Sequence, residues 1–259
     1  MRAAFAVCAA AVVAFLTVPV VAIFLRVSPG TLLRELDEPV ARDALVVSLR
    51  TSAAAQALVL VLGTPAAYVL ATRRFRGRAV VLTLVELPLV LPPAVAGIGL
   101  LAAFGRTGLF ATSVAFTQTA VVLAVAFVAA PFYVRTAIAA FEAVDPTVVD
   151  AARTLGARPW RVFARVALPL AAGGLGAGFA LAFARGLGEF GATIMFAGSL
   201  QRVTQTLPLA IYAEFARSFD VALTIGALLV SFSFLLLLAV KWLRFSSTQP
   251  FRFAASSSA

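Results

Sequence analysis

The chain has 259 residues, of which 62% are hydrophobic and 12% charged. A soluble domain carries about 25% charged residues, so this composition excludes a soluble fold and puts most of the chain in a bilayer. The net charge of +10, almost all of it arginine, is interleaved with apolar runs and gathers on no single face; this argues against a nucleic-acid partner and for the basic bias of cytoplasmic loops.

A bilayer core needs about 20 apolar residues per helix, and charges mark the ends of the candidates. Residues 3–25 carry no charge and follow a single basic residue, Arg2. The run exceeds the ~7–15 apolar residues of a secretory signal, so a retained first helix is expected. Residues 51–72, 107–134 and 221–240 are also free of charge. Two further spans hold charges inside them: 79–105 with Glu86, and 166–201 with Arg185 and Glu189. Six transmembrane helices in an all-α membrane protein are therefore expected. Residues 135–169 are too long for a turn and too charged for a span. Residues 198–218, with Pro208, read as an outside loop with a short re-entrant or interfacial helix. Residues 1–245 form one membrane domain in this reading, and the Ser/Ala-rich tail 246–259 is expected to be poorly ordered and cytoplasmic.

Six spans put both termini on one side. With the N-terminus cytoplasmic, the inside segments hold thirteen basic residues and the outside segments seven. Basic residues set orientation, so both termini are expected in the cytoplasm.

Absences limit the chemistry. There is no histidine, which excludes Ser-His-Asp and Cys-His catalysis and histidine metal sites, and Cys8 is alone, which excludes an internal disulfide. No catalytic residue, metal or cofactor is expected. No G-x-x-x-x-G-K-[ST] is present, the one lysine, Lys241, being followed by Trp242. The chain cannot hydrolyse ATP by itself.

The segment 142–169 carries the most information. Asp145 can cap a helix beginning at Pro146, where the missing N–H costs nothing. A helix Pro146–Leu155 puts Val148, Ala152 and Leu155 on one face, and Gly156 ends it in the left-handed conformation. Arg158-Pro159 separates a second short helix, Trp160–Ala167, and Leu168-Pro169 leads into the next span. A helix–Gly–helix element with small residues, Ala151 and Ala152, suits either a docked partner or an ordinary interfacial loop.

Asp150-Ala151-Ala152, then Gly156, then Val166-x-Leu168-Pro169 resembles the EAA loop of ATP-binding-cassette importer permeases: Glu-Ala-Ala, three residues, Gly, nine residues, Ile-x-Leu-Pro. Asp150 and Val166 are conservative departures. The resemblance implies that Asp150, Ala151, Ala152, Gly156, Leu168 and Pro169 couple the chain to a separate ATPase subunit. Pro88-Leu89-Val90-Leu91-Pro92-Pro93, Phe104-Gly105-Arg106-x-Gly108, Phe183 to Thr193 and Thr206-Leu207-Pro208-Leu209-Ala210-Ile211-Tyr212 are similar to the molybdate permease branch. The sulfate/thiosulfate permeases share the Gly188-Glu189-Phe190-Gly191-Ala192 core, and the Thr206–Tyr212 stretch favours molybdate. The likeness spans roughly residues 45–240, with Gly186 standing where the branch usually has Ala and Ser199 where it often has Asn. It implies a type I importer permease fold, a bacterial inner-membrane location, a second permease copy, two ATPase subunits and an extracytoplasmic molybdate-binding protein.

Gly186-x-Gly188-x-x-Gly191 is formally a dinucleotide fingerprint, but it interrupts a membrane span and lacks a strand before it. A hinge or close helix contact is the better reading, and Gly174-xxx-Gly178 supports close packing. Arg185 and Glu189, four apart, share a helical face and form either a structural ion pair or part of the substrate path. Pro92, Pro93, Arg185, Gly188, Glu189, Gly191 and Thr193 are the candidate pathway or gate residues, since a helix broken by proline frees backbone groups to line a cavity. Glu86 lies about 10 Å into its helix and is expected to pair with a loop arginine and take no part in transport. A secondary anion transporter needs inverted repeats, and no repeat is visible. A membrane enzyme would need reactive groups that the chain lacks.

Overall fold

The computed structural model describes residues 2–110 and 114–247. Residues 111–113, inside the expected span 107–134, and residues 248–259 of the expected tail lie outside the described residues. The described chain is entirely helical: α1 Arg2–Arg26, α2 Pro29–Asp37, α3 Pro39–Thr72, α4 Arg78–Val90, α5 Pro93–Phe104, α6 Gln118–Glu142, α7 Pro146–Thr154, α8 Pro159–Val162, a π-helical turn Phe163–Ala167, α9 Leu168–Leu187, α10 Gly191–Ala197, α11 Leu207–Phe215 and α12 Phe219–Ser247.

Helix α6 is the hub, packing along α3 on one side and α9 on the other. Its buried face runs Val121, Ala124, Val128, Tyr133 and Ala137 and meets Ala55 and Val59 of α3, Ala182 of α9 and Phe196 of α10. Small residues allow this. Backbones approach closely in a membrane where glycine or alanine sits at the contact. A Cβ on Gly174 would collide with the Cβ of Ala140, and one on Gly178 would stand 3.1 Å from the Cβ of Thr136. The Gly174-xxx-Gly178 expectation holds. A smaller cluster joins Ala41 and Ala44 of α3 to Leu207 and Ala210 of α11 and Ile225 of α12. Helix α1 exposes Phe5, Val12, Phe15 and Leu16 and touches α12.

Among the described residues, four helices are long and apolar enough to cross a bilayer: Phe5–Arg26, Pro39–Thr72, Gln118–Glu142 and the continuous Pro159–Leu187. The expected third span is a bent pair, α4 and α5, turned by 116° at Leu91-Pro92. Pro92 and Pro93 make the break, whereas Pro88 is accommodated inside α4. The sixth expected span lies in α12, whose apolar helical stretch runs Phe219–Leu235.

Three boundaries differ from the sequence reading. The span expected at 51–72 is the inner part of a helix that begins at Pro39; the charges of its first turns lie at an end, where Asp43 pairs with Arg202 at 3.0 Å. The span expected at 107–134 begins at Gln118, capped by Thr117, and runs on to Glu142. Its late charges do not stop it because both are paired, Arg135 with Glu86 at 3.2 Å and Glu142 with Arg78 at 2.9 Å. Glu86 thus pairs with a helix residue and not with a loop arginine. The run 166–201 is two helices, parted at Gly188-Glu189-Phe190.

Candidate functional site

Two regions hold the residues singled out by sequence. The first is the element α7–Gly156–α8. The Asp145 carboxylate accepts from the backbone N–H and the hydroxyl of Thr147, at 2.8 and 2.7 Å. Those bonds hold the Asp145 carboxyl below its ordinary value, the side-chain bond being the larger cause. Helix α7 ends in a Schellman motif. Gly156 N–H donates to the Arg153 carbonyl at 2.9 Å and Ala157 N–H to the Ala152 carbonyl at 3.0 Å. Gly156 has φ +82°, and nothing lies within 4 Å of where its Cβ would be. The site is strained for a side chain yet empty around it.

The face expected from the spacing of Val148, Ala152 and Leu155 is exposed at its two ends and half-buried at Ala152. Val148 is exposed, and Leu155 is 88% exposed, as is most of Trp160 on α8. An exposed apolar face next to charged residues marks an interaction surface. Asp150 and Ala151 are exposed on the same short helix, with Asp150 paired to Arg153 at 3.0 Å. The opposite side of α7 lines a cleft of about 330 Å³ with Tyr68, Phe141 and Val144 of the body.

The second short helix expected at Trp160–Ala167 does not end before Leu168-Pro169. It continues through the π turn into α9, where the Leu168 N–H reaches the Phe163 carbonyl. Pro169 lacks a donor, and a one-residue widening of the helix just before it accommodates that loss. Leu168 and Pro169 therefore sit at the start of a membrane helix and not on the exposed element. Tyr68, Phe141 and Phe163 form an aromatic cluster beneath it. Sequence reasoning missed this cluster. Its only signal was three aromatic residues near the ends of segments that meet in space.

The second region is the break between α9 and α10. Arg185 and Glu189 do not share a helical face, since α9 ends at Leu187, but they pair at 2.8 Å. Glu189 is 1% exposed at its side chain, and its second oxygen accepts from the Ala192 N–H at 2.8 Å. The carboxylate thus caps α10 as well as neutralising Arg185. Gly191 lies against α5: its Cβ would stand 2.7 Å from the Cβ of Pro93. So Pro93, Glu189 and Gly191 come together where two broken helices cross, and Pro92 sits one residue away as the N-cap of α5. Gly188 is exposed at the C-cap of α9. Thr193 is fully buried, with no hydrogen-bond partner for its hydroxyl among the described residues. Of the G-x-G-x-x-G run, Gly191 serves this crossing and Gly186 a close approach to Val125 of α6; among the described residues no strand precedes the run.

These features define a membrane permease with broken helices and an exposed, partly apolar short helix between two of its spans. The chain belongs to the family described as the binding-protein-dependent transport system inner membrane component, which matches residues 60–246. It is a multi-pass membrane transport subunit. Among curated proteins, the molybdenum transport system permease protein ModB of Mycobacterium tuberculosis is 46% identical over 244 residues, covering 88% of this chain and 89% of that protein. ModB of Escherichia coli K12 is 42% identical over 178 residues, covering 66% of this chain and 78% of that protein. The fold is that of an inward-facing structure of the MetNI methionine ABC transporter, with TM-score 0.66, 19% identity, and 81% of this chain and 97% of that chain covered.

Proposed function

We propose that this chain is the permease subunit of an ATP-driven importer of molybdate or the similar tungstate. Two copies would form the path, two separate ATPase subunits would dock on the α7 elements, and an extracytoplasmic binding protein would deliver the oxyanion. The observation that carries the coupling reading is the pair of exposed apolar residues at the ends of α7, Val148 and Leu155, with the helix stopped at Gly156 and open space around it. The substrate reading is supported by relatives from several lineages that are named as molybdenum permeases. Residues 1–245 act as one membrane domain of six spans with both termini cytoplasmic, which puts α7 on the side where ATP is found.

The mechanism follows from linkage. ATP binding favours one arrangement of the ATPase pair, and α7 moves with it. Through the π turn, α7 connects to α9, and α9 ends at the Arg185–Glu189 pair beside the α5–α10 crossing. A partner that binds one arrangement more tightly shifts the whole assembly towards it. Alternating access needs no chemistry from this chain.

The test is reconstitution with the ATPase and the binding protein in liposomes. ATP-dependent accumulation of radiolabelled molybdate is expected, with sulfate a poor competitor. Accumulation of sulfate in preference to molybdate, or uptake without any ATPase, would overturn the reading.

A further inference from the structure

Arg135 and Glu86 form an ion pair inside the membrane-spanning part of the chain. Arg135 precedes the end of α6 by seven residues, and Glu86 follows the start of α4 by eight. Both therefore lie about 10–12 Å along their helices. The nearby ends of the two helices, joined by Arg78–Glu142, are those next to α7. Arg135 meets Glu86 through Nε, at 3.2 Å, and among the described residues its two terminal nitrogens donate no hydrogen bond. The side chains are 59% and 42% exposed. In the Arg185–Glu189 pair, by contrast, the acid is almost wholly enclosed.

Charged groups within a bilayer face a water-filled path or other charges and not lipid. The face of α6 that carries Arg135 opens towards the α7 end. Phe132 is half-buried, while Arg135, Ala139 and Glu142, at helical spacing, are exposed. Helix α4 has no buried residue. Leu82 and Val85 pack α4 against the core, the two ion pairs join it to α6, and a 116° break joins it to α5. The Glu86 side chain, itself partly exposed, can swing away from Arg135 without moving the helix.

We infer that Arg135 is an anion-binding residue in the exit half of the path. It takes a tetrahedral oxyanion on its two terminal nitrogens, and Glu86 is the counter-charge that releases the anion by returning. The inference rests on the oxyanion-import reading above. A guanidinium fork matches two oxygens of a tetrahedral dianion, which a point charge such as lysine does not. A dianion held by two bonds displaces a carboxylate held by one contact. Once the anion moves on, Glu86 neutralises the arginine again, so the site passes its ligand instead of trapping it.

A cysteine at 139, one turn along the same face, reports occupancy. The variant Ala139→Cys in a Cys8→Ser background is purified with its ATPase, free of nucleotide. The rate of its modification by a small charged thiol reagent is measured with and without molybdate, with chloride as control. Molybdate is expected to slow modification about tenfold, the scale of a charge-assisted hydrogen bond. Arg135→Gln and Arg135→Lys each remove that protection, and the lysine variant, which keeps the charge, carries the test if the glutamine variant fails to fold. Glu86→Gln lowers the molybdate concentration for half-protection about tenfold by the same argument. No protection with Arg135 in place, or protection that survives Arg135→Lys, assigns the pair to packing alone and overturns the inference. An unchanged half-protection in Glu86→Gln overturns the counter-charge role. Uptake by the unaltered complex is read separately: protection without uptake sinks the import reading and leaves the Arg135 site, and uptake without protection does the reverse.

Discussion

The ring of Phe163 lies against that of Tyr68 with centroids 4.8 Å apart, and both rings meet Phe141. This contact ties the π turn after α8 to the C-terminal ends of α3 and α6. A push on α7 therefore reaches the body through aromatic packing as well as through the chain. Each aromatic pair adds about 0.5–1.5 kcal/mol beyond burial, so Phe163→Ala loses about 1–3 kcal/mol from its two pairs and remains inserted. The expected result is a complex that binds its ATPase but hydrolyses several-fold more ATP per molybdate imported. An unchanged ratio would show that the cluster does not transmit the stroke.

Gly156 separates backbone strain from docking. A bulky residue at a left-handed position costs about 1–2 kcal/mol, and open space around the Cβ position means no clash within the chain. Gly156→Val and Ala152→Trp should both leave membrane level unchanged while reducing copurified ATPase and abolishing uptake. Wild-type uptake with the ATPase bound, in both variants, would remove α7 from the coupling role.

The Arg185–Glu189 pair gives an asymmetric expectation. Removing one partner of a buried pair costs about 3–5 kcal/mol because a charge is left alone. Glu189 is the enclosed member and also holds α10 through Ala192. Arg185→Gln should therefore harm protein level more than Arg185→Gln combined with Glu189→Gln, which keeps an acceptor for the Ala192 N–H. A double variant that folds well but transports nothing, with each single no worse, would place the pair in the substrate path.

Asp145 predicts a pH dependence of the α7 cap. Its carboxyl lies below the ordinary value of 3.8 in the folded chain because Thr147 stabilises the charged form. A lowered value gives stability that is present above the unfolded value and lost as pH falls through the folded one. The difference in thermal stability between the parent and Asp145→Ala should thus be constant from pH 8 to about pH 5 and shrink below about pH 4. A difference that grows on acidification would contradict the cap.

Orientation is testable by labelling. Single cysteines in 73–78 and in 28–43, with Cys8 replaced, are treated from outside with an impermeant reagent. Labelling is expected in 28–43 and absent in 73–78. The opposite pattern would invert the topology.

Local signals were legible in the sequence alone. The apolar runs, the Asp145 cap and the Gly156 stop depend on residues within a few positions of one another; the cap and the stop appear where the spacing put them, and the runs are helical although three of them start, end or break elsewhere. The family was legible for the same reason, since its motif is a local pattern running from the exposed α7 into the first turn of α9. What tertiary structure decided lies between segments distant in sequence. Helix α6 runs through Arg135 to Glu142 because α4 brings Glu86 and Arg78 to neutralise them, and no local rule carries that information. The span 166–201 breaks because Glu189 prefers two partners, Arg185 and the Ala192 N–H, to the continuation of a helix. Charge in a bilayer is tolerated only where a partner is at hand, and partners are supplied by packing, so helix ends and ion pairs were settled by the fold while helix identity was written in the chain.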